Sequence, residues 1–229
     1  MTTPRLRPTA ATPRSDPTSP LRRTSRGSTP FEWLVVGLGN PGREFAGTRH
    51  NVGEQVVGEL ARRHESPLKA GRDNALVAES RLGERRVVLA FPLTYMNDSG
   101  QAVGRLARRY RIDDPERVVI VHDELDLPPS TVRVKVGGGL AGHNGLRSIA
   151  SHLGTQDFVR VRIGVGKPPS KERGANHVLS GFSKRDREQI AVTLEEAADA
   201  VELILTDGVD AAMNRYNGRS ATGTADTEK

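Results

Sequence analysis

Cysteine is absent from all 229 residues, which excludes disulfides, thiol nucleophiles and Cys-ligated zinc in one step. No apolar run is long enough to span a bilayer. The N-terminus also lacks the apolar h-region of a secretory signal, although its Arg- and Ser-rich, acid-poor composition superficially suits an organelle transit peptide. The zinc spacing HExxH is missing, with no comparable ligand arrangement in its place, and there is no internal repeat. The expectation is a cytoplasmic chain with no membrane contact, no metal and no cofactor.

The length suits one domain with a full hydrophobic core and something left over. The surplus lies at the start. Met1 to Thr29 hold five prolines, eleven Ser or Thr, six Arg and almost no large apolar residue, too little burial to offset the entropy of ordering. Residues 1–29 are therefore expected to be a disordered tail, 30–218 the folded domain, and the small, polar 219–229 a flexible end. The six Arg of the tail (5, 7, 14, 22, 23 and 26) against Asp16 give +5 of the formal +6, so the rest of the chain is nearly neutral. Any affinity of the domain for nucleic acid must come from local clustering, not overall charge.

From Phe31 onward, strand-like runs alternate with amphipathic helices. Trp33 to Leu38 reads as a core strand ended by glycines. Asn51 to His64 puts Val52, Val56, Val57, Leu60 and Ala61 on one helical face, with Asn51 as its N-cap. Strands follow near 75–80 and 85–90, then a helix from Asp98 to Tyr110, a buried strand from Arg117 to Val121, and an alternating strand from Thr131 to Val136. His143 to Leu153 reads as a helix opened by a Gly-rich loop. Phe158 to Val165 alternates Arg with apolar residues, as a half-exposed strand would. A long helix from Lys184 to Leu205 and a shorter one ending near Asn217 close the domain. This order predicts a single three-layer α/β domain, its mixed, largely buried β-sheet flanked by helices.

Gly37-Leu-Gly39-Asn-Pro-Gly42 matches G-x-G-x-x-G letter for letter, which raises a dinucleotide-binding reading. The context opposes it. A nucleotide-binding turn leads straight into the helix whose amides hold pyrophosphate, whereas about eight polar residues separate Gly42 from this helix. The acid expected at the end of a second strand is missing too, because Glu59, at the right spacing, lies inside the first helix.

Four segments concentrate Asn, His, Asp and Gly at the ends of predicted strands, where α/β sheets place their ligands. They are Gly37–Asn51 (GLGNPGREFAGTRHN), Phe91–Gly100 (FPLTYMNDSG), His122–Pro129 (HDELDLPP) and Gly137–Ser148 (GGGLAGHNGLRS). In this order and at these separations they resemble the bacterial-type peptidyl-tRNA hydrolase family, with its GNPG…TRHN, T-x-MN-x-SG, HD-[DE]-LD and GGHNGL motifs. The resemblance runs from about Trp33 to Asn217, and Phe158–Gly166 and Val178–Phe182 also fit. Phe45 stands where the family commonly has tyrosine, which puts a contact to the tRNA end in question. Ala141 interrupts a stretch that is often Gly-Gly, and Phe91 precedes its proline where relatives carry Lys or Val.

Read on its own, His50 stands at the mouth of the first helix, where the helix dipole favours a neutral imidazole fit to act as a base. Asp123 ends an apolar strand: it could simply open a turn, or orient an imidazole. Asn40, Asn97 and Asn144 could fill turns that need unusual backbone angles, or use their amides to donate and accept at a neutral ester. The resemblance implies the functional choice each time. It makes His50 the base that activates water to cut the ester between peptide and tRNA, with Asp123 holding the ring. It sets Asn40 and Asn97 beside His50, against peptide or water, and Asn144 on the terminal adenosine. Tyr95 and Met96 could pack against a base or the first peptide residues, or belong to the core.

Lys135 and Arg162 match positions the family uses to grip phosphate, consistent with binding the acceptor stem and CCA end of peptidyl-tRNA by shape. The resemblance also suggests a monomer. Arg105, Arg108, Arg109 and Arg111 are better read as a solvated helix end, Glu124 and Asp126 as turn or capping residues, and His64, His152 and His177 as structural. The alternatives are a catalytically inactive hydrolase-like RNA-binding protein and a metal-dependent hydrolase using His50, His122, Asp123 or His143.

Overall fold

A computed structural model describes residues 30–168, 170 and 173–218. The tails expected at 1–29 and 219–229 lie outside these residues. Seven strands form one sheet: β1 (Trp33–Gly37), β2 (Lys69–Ala70), β3 (Ala75–Leu82), β4 (Arg85–Pro92), β5 (Val118–Glu124), β6 (Val132–Val136) and β7 (Val159–Gly164), in the order β2-β3-β4-β1-β5-β7-β6. The four central strands, β4, β1, β5 and β7, run parallel; β2, β3 and β6 are antiparallel to their neighbours. Every residue of β1 and β5 is buried, which is why WLVVG and VVIVHDE are continuous apolar runs up to their polar ends. By contrast β3, one strand from the edge, shows the polar positions of a strand with a wet face.

The helices are α1 (Val52–Arg63), α2 (Ser99–Tyr110), α3 (Asn144–Leu153), α4 (Gly174–Val178), α5 (Lys184–Asp207) and α6 (Val209–Asn217). Strand residues alternate between two cores. Val35, Leu89, Val121 and Val161 face α1, α5 and α6, whereas Leu34, Val36, Val88 and Ile120 face α2 and α3. The expected three layers are therefore present. Local signals end the helices where the sequence changes character: α2 stops at Arg111, in the left-handed region (φ 57), with Ile112 N–H returned to the Ala107 carbonyl. Ser183 opens α5 by accepting from Asp186 N–H at 3.2 Å while donating to its carboxylate at 2.7 Å.

One strand differs from its expectation. β7 is almost wholly buried, because it lies between β5 and β6 and not at an edge. Arg160, 2% exposed, replaces solvent with backbone oxygens: its guanidinium donates to the carbonyls of Gly139, Gly138 and Gln156 at 2.8, 2.7 and 3.1 Å. The two-residue β2 and the single turn of α4 escaped the pattern, being too short to carry a period.

Candidate active site

The glycines of the first motif serve backbone packing. A Cβ on Gly37 would lie 2.1 Å from the Gly53 carbonyl oxygen, and one on Gly53 would lie 2.2 Å from that of Val121, so α1 rests directly on β1 and β5. The amides near the start of α1 are used internally: Glu54 N–H donates to the Leu38 carbonyl and Leu38 N–H to that of Val121, at 3.0 and 2.9 Å. Two 3-10 turns, Arg43–Phe45 and Arg49–Asn51, fill the stretch before the helix. The Glu54 and Leu38 amides are therefore not free to receive a pyrophosphate, which agrees with rejecting the dinucleotide reading.

The second turn delivers His50 to the end of β5. His50 Nδ1 lies 2.8 Å from Asp123 Oδ1, and His143 Nε2 lies 3.1 Å from the same oxygen. Three hydrogen bonds fix the tautomers. Leu146 N–H points at His143 Nδ1 (3.4 Å), leaving that ring's proton on Nε2, toward Asp123. Asp123 is an acceptor, so His50 carries a proton on Nδ1, and the lone pair of the neutral ring lies on Nε2. The third ring, His122, donates from Nδ1 to the Asp123 carbonyl at 2.7 Å and meets His143 edge-on at 5.0 Å between centroids.

Burial and charge set the state of this cluster. Asp123 is 3% exposed; burial alone would raise its pKa, but the His143 ring, by field and hydrogen bond, and then His50 outweigh it and hold the carboxyl well below the usual carboxylate range. Burial, then the neighbouring His143, pushes His122 down to about 3, so it stays neutral. His50, Asp123 and His143 offer donor atoms within 4.8 Å of one another, a spacing that could in principle hold a metal. Both ring nitrogens, however, already sit at hydrogen-bond distance from one carboxylate oxygen, so these atoms satisfy one another.

Beside the cluster are two adjoining clefts that share His50, Asn144, Ala175 and Val178. The larger, about 320 Å³, is lined also by Asn40, Phe45, Tyr95, Met96 and Asn97, so these sequence-selected residues converge around one imidazole, whereas Lys135 and Arg162 line neither cleft. They differ in exposure. Asn40 is buried and its Oδ1 accepts from Met96 N–H at 2.8 Å, whereas Asn97 and Asn144 are exposed. The Tyr95–Met96 pair splits: Met96 belongs to the core facing α2 and α3, while Tyr95 is 64% exposed. Asn51 does not cap α1, for its side chain makes no capping bond. It holds the backbone of Asn40.

Among the basic residues, Lys135 pairs in register with Arg160 on the neighbouring strand and has no ion pair among the described residues. Arg162 is held by Glu124, 3.0 Å from Nη2 and 3.1 Å from Nε. Glu124 is thus more than a turn residue: it is the buried last residue of β5, and its other oxygen accepts from Asp126 N–H at 3.2 Å. Arg109 pairs with Asp73 at 2.6 Å. His64 bonds Glu202, His152 the Ser148 carbonyl and His177 the carbonyls of Val165 and Gly166, the structural roles expected of them.

A family model described as peptidyl-tRNA hydrolase matches residues 34–224. The chain belongs to the peptidyl-tRNA hydrolase family. It is 52% identical over 185 residues to a peptidyl-tRNA hydrolase of Frankia alni, covering 81% of this chain and 93% of that protein. To one of Leifsonia xyli it is 51% identical over 187 residues, covering 81% and 96%. The crystal structure of peptidyl-tRNA hydrolase from Acinetobacter baumannii superposes with a TM-score of 0.78 at 40% identity, over 85% of this chain and 99% of that one. A peptidyl-tRNA hydrolase in complex with N-propanol gives 0.79 at 39%, over 85% and 100%. The fold of the family and the fold found here are the same. No helix among the described residues is long and apolar enough to cross a membrane. Sequence reasoning did not anticipate where two residues stand: His143, considered only as a metal ligand, bonds Asp123, and Asn51, taken for a cap, holds Asn40. The available signal for His143 was its place in a Gly-rich turn beside Asn144.

Proposed function

We propose that this peptidyl-tRNA hydrolase cuts the ester between a peptide, or an N-blocked amino acid, and tRNA by general-base attack of water at His50. The observation that carries the reading is the 2.8 Å bond from His50 Nδ1 to a buried, ionised Asp123, on a ring that lines the cleft shared with Asn40, Asn97 and Asn144. With its proton held on Nδ1, the ring keeps its Nε2 lone pair for a water. His50 takes a proton from that water as its oxygen attacks the ester carbonyl. As the tetrahedral intermediate collapses, the imidazolium returns the proton to the departing ribose oxygen, leaving free tRNA and a peptide carboxylic acid that loses its proton to solvent. Asp123 stabilises the imidazolium in between, and His143 keeps Asp123 in place.

Asn40 has spent its Oδ1 on Met96 N–H, so it presents N–H donors to the cleft. Those donors suit a carbonyl oxygen or the oxyanion that develops from it. Asn97, Tyr95 and Met96 line the same cleft and receive the first peptide residues, while Phe45, which also lines it, packs against the tRNA end. Asn144 takes the terminal adenosine. Lys135 and Arg162 bind phosphate of the acceptor stem. The catalytic unit is 30–218, working as a single copy and in the cytoplasm, where translation supplies the substrate.

Incubation with N-acetylaminoacyl-tRNA and with unblocked aminoacyl-tRNA, repeated with His50→Ala, tests this. Rapid release from the blocked substrate alone, lost in the variant, is expected. Equal cleavage of both removes the claimed specificity, an active variant removes the mechanism, and loss of activity in EDTA restores the metal reading.

A further inference from the structure

Asn51 is 1% exposed, and its amide meets the backbone of Asn40 at two points. Oδ1 accepts from Asn40 N–H at 2.9 Å and Nδ2 donates to the Asn40 carbonyl at 2.9 Å. The second N–H donates to Glu54 Oε2 at 3.0 Å. All three bonds are compatible with one orientation of the amide only, since a flip would set donor against donor and oxygen against two acceptors. Asn40 stands between Gly39 and Pro41 outside any helix or strand, so no regular ladder holds it there. Sterics point the same way: a Cβ on Gly39 would lie 2.8 Å from the Asn51 amide, and glycine at 39 is what lets the two segments close.

We propose that Asn51 is a positioning residue for the hydrolysis, acting through Asn40. It fixes the Asn40 backbone from the α1 side while Met96 N–H fixes the side-chain oxygen from the β4–α2 connection, so that only the Asn40 NH2 group is left for the cleft. The inference rests on the assignment of Asn40 to the reaction. The side chain at 51 must donate and accept at once and reach both groups of one residue, which Asp, Ser or Thr cannot do. In the 3-10 turn, Asn51 also follows His50 directly. One short segment thus delivers the base and braces the group across the cleft from it.

Asn51→Asp turns the donor to the Asn40 carbonyl into an acceptor and sets a second carboxylate beside Glu54. The expected result is a turnover lower by about 100-fold, the scale of a misplacement of about 1 Å, with KM changed only a few-fold and Tm down by roughly 10 °C. Asn51→Asp with Glu54→Gln restores a donor to the new carboxylate but not to the Asn40 carbonyl. It should recover more than half of the Tm and none of the turnover. Recovery of kcat along with Tm would reduce Asn51 to a stabilising residue and overturn the proposal, as would a folded Asn51→Asp enzyme with normal turnover. Should Asn51→Asp not fold, the double variant alone decides. Asn40→Ala separates the premises: normal turnover there removes the role of Asn40 and the inference with it, whereas an impaired Asn40→Ala beside a normal Asn51→Asp removes the inference only.

Discussion

Two sides of the cleft around His50 are built to opposite rules. On the Asp123 side the groups are largely withdrawn from solvent and bonded within the protein. Asp123 and His122 are buried and His143 half-buried, and each makes a bond to another of them or to backbone, although His122 Nε2 has no partner among the described residues. The carboxylate is held ionised by two rings. On the Asn97–Asn144 side the side chains are exposed, and Tyr95 stands 64% in solvent. Groups that must hold a proton in a fixed place are dried and locked in advance, because reorganising them during the reaction would raise the barrier. Groups that meet a large, variable ligand are left to order on binding. Asn40 belongs to the first side although it faces the second.

The contrast predicts turnover losses from the dry side and binding losses from the wet side. The largest effect should come from Asp123→Asn. An amide oxygen there could accept from one ring, but the negative charge that stabilises the imidazolium would be gone, so kcat should fall by roughly 10²–10⁴-fold with KM nearly unchanged. Single-turnover hydrolysis of N-acetylaminoacyl-tRNA measures it, and a loss confined to KM would erase the distinction between the two sides.

The dry side should also be sensitive to acid. His122 has its folded pKa lowered to about 3. At neutral pH the ring is uncharged in both states and contributes nothing to pH dependence. As pH falls below about 6.5, the unfolded chain takes up a proton that the folded one refuses, and stability declines by about 1.4 kcal/mol per pH unit. Asp123, lowered in turn, stabilises the fold above about pH 4 and loses that contribution below it. Between pH 7 and 4.5 the His122 share is roughly 2–3 kcal/mol. Urea unfolding at the two pH values should show that much less difference in His122→Asn than in the parent; equal differences would mean that His122 is not the group refusing the proton.

The sequence revealed one side better than the other. Both cores were legible, because parallel strands buried on two faces and helices with one apolar stripe leave strong periods. So were His50, Asp123 and the three asparagines, which motif order brought together and the structure sets around two adjoining clefts that share His50 and Asn144. What stayed hidden depends on which way a buried polar side chain turns. Arg160 read as a half-exposed strand residue, since alternation cannot tell solvent from a ring of carbonyls. Asn51 read as a cap because Asn before a helix usually is one. His143 gave no period and no spacing to Asp123, twenty residues away, and only the fold puts their atoms 3.1 Å apart.

The wet side should yield the smaller effects, and of the opposite kind. Asn144→Ala should raise KM about 10-fold and leave kcat within about 2-fold, as loss of one hydrogen-bonding group on a bound adenosine would. A fall in kcat instead would show that Asn144 acts on the reacting atoms and move it to the dry side.

Smallest should be the loss of one phosphate contact at Lys135. Lys135→Ala is expected to raise KM a few-fold at moderate salt with kcat unchanged, and the slope of log KM against log salt should fall by about 0.7–0.9, one released counterion. Arg162 offers an internal control, because its charge is already paired with Glu124. Removing that carboxylate with Glu124→Gln should strengthen the guanidinium's hold on phosphate and steepen the same slope where Lys135→Ala flattens it. If neither variant changes the salt dependence, the tRNA is gripped elsewhere, and the wet side of the cleft ends nearer to the asparagines than the basic strands β6 and β7 would have it.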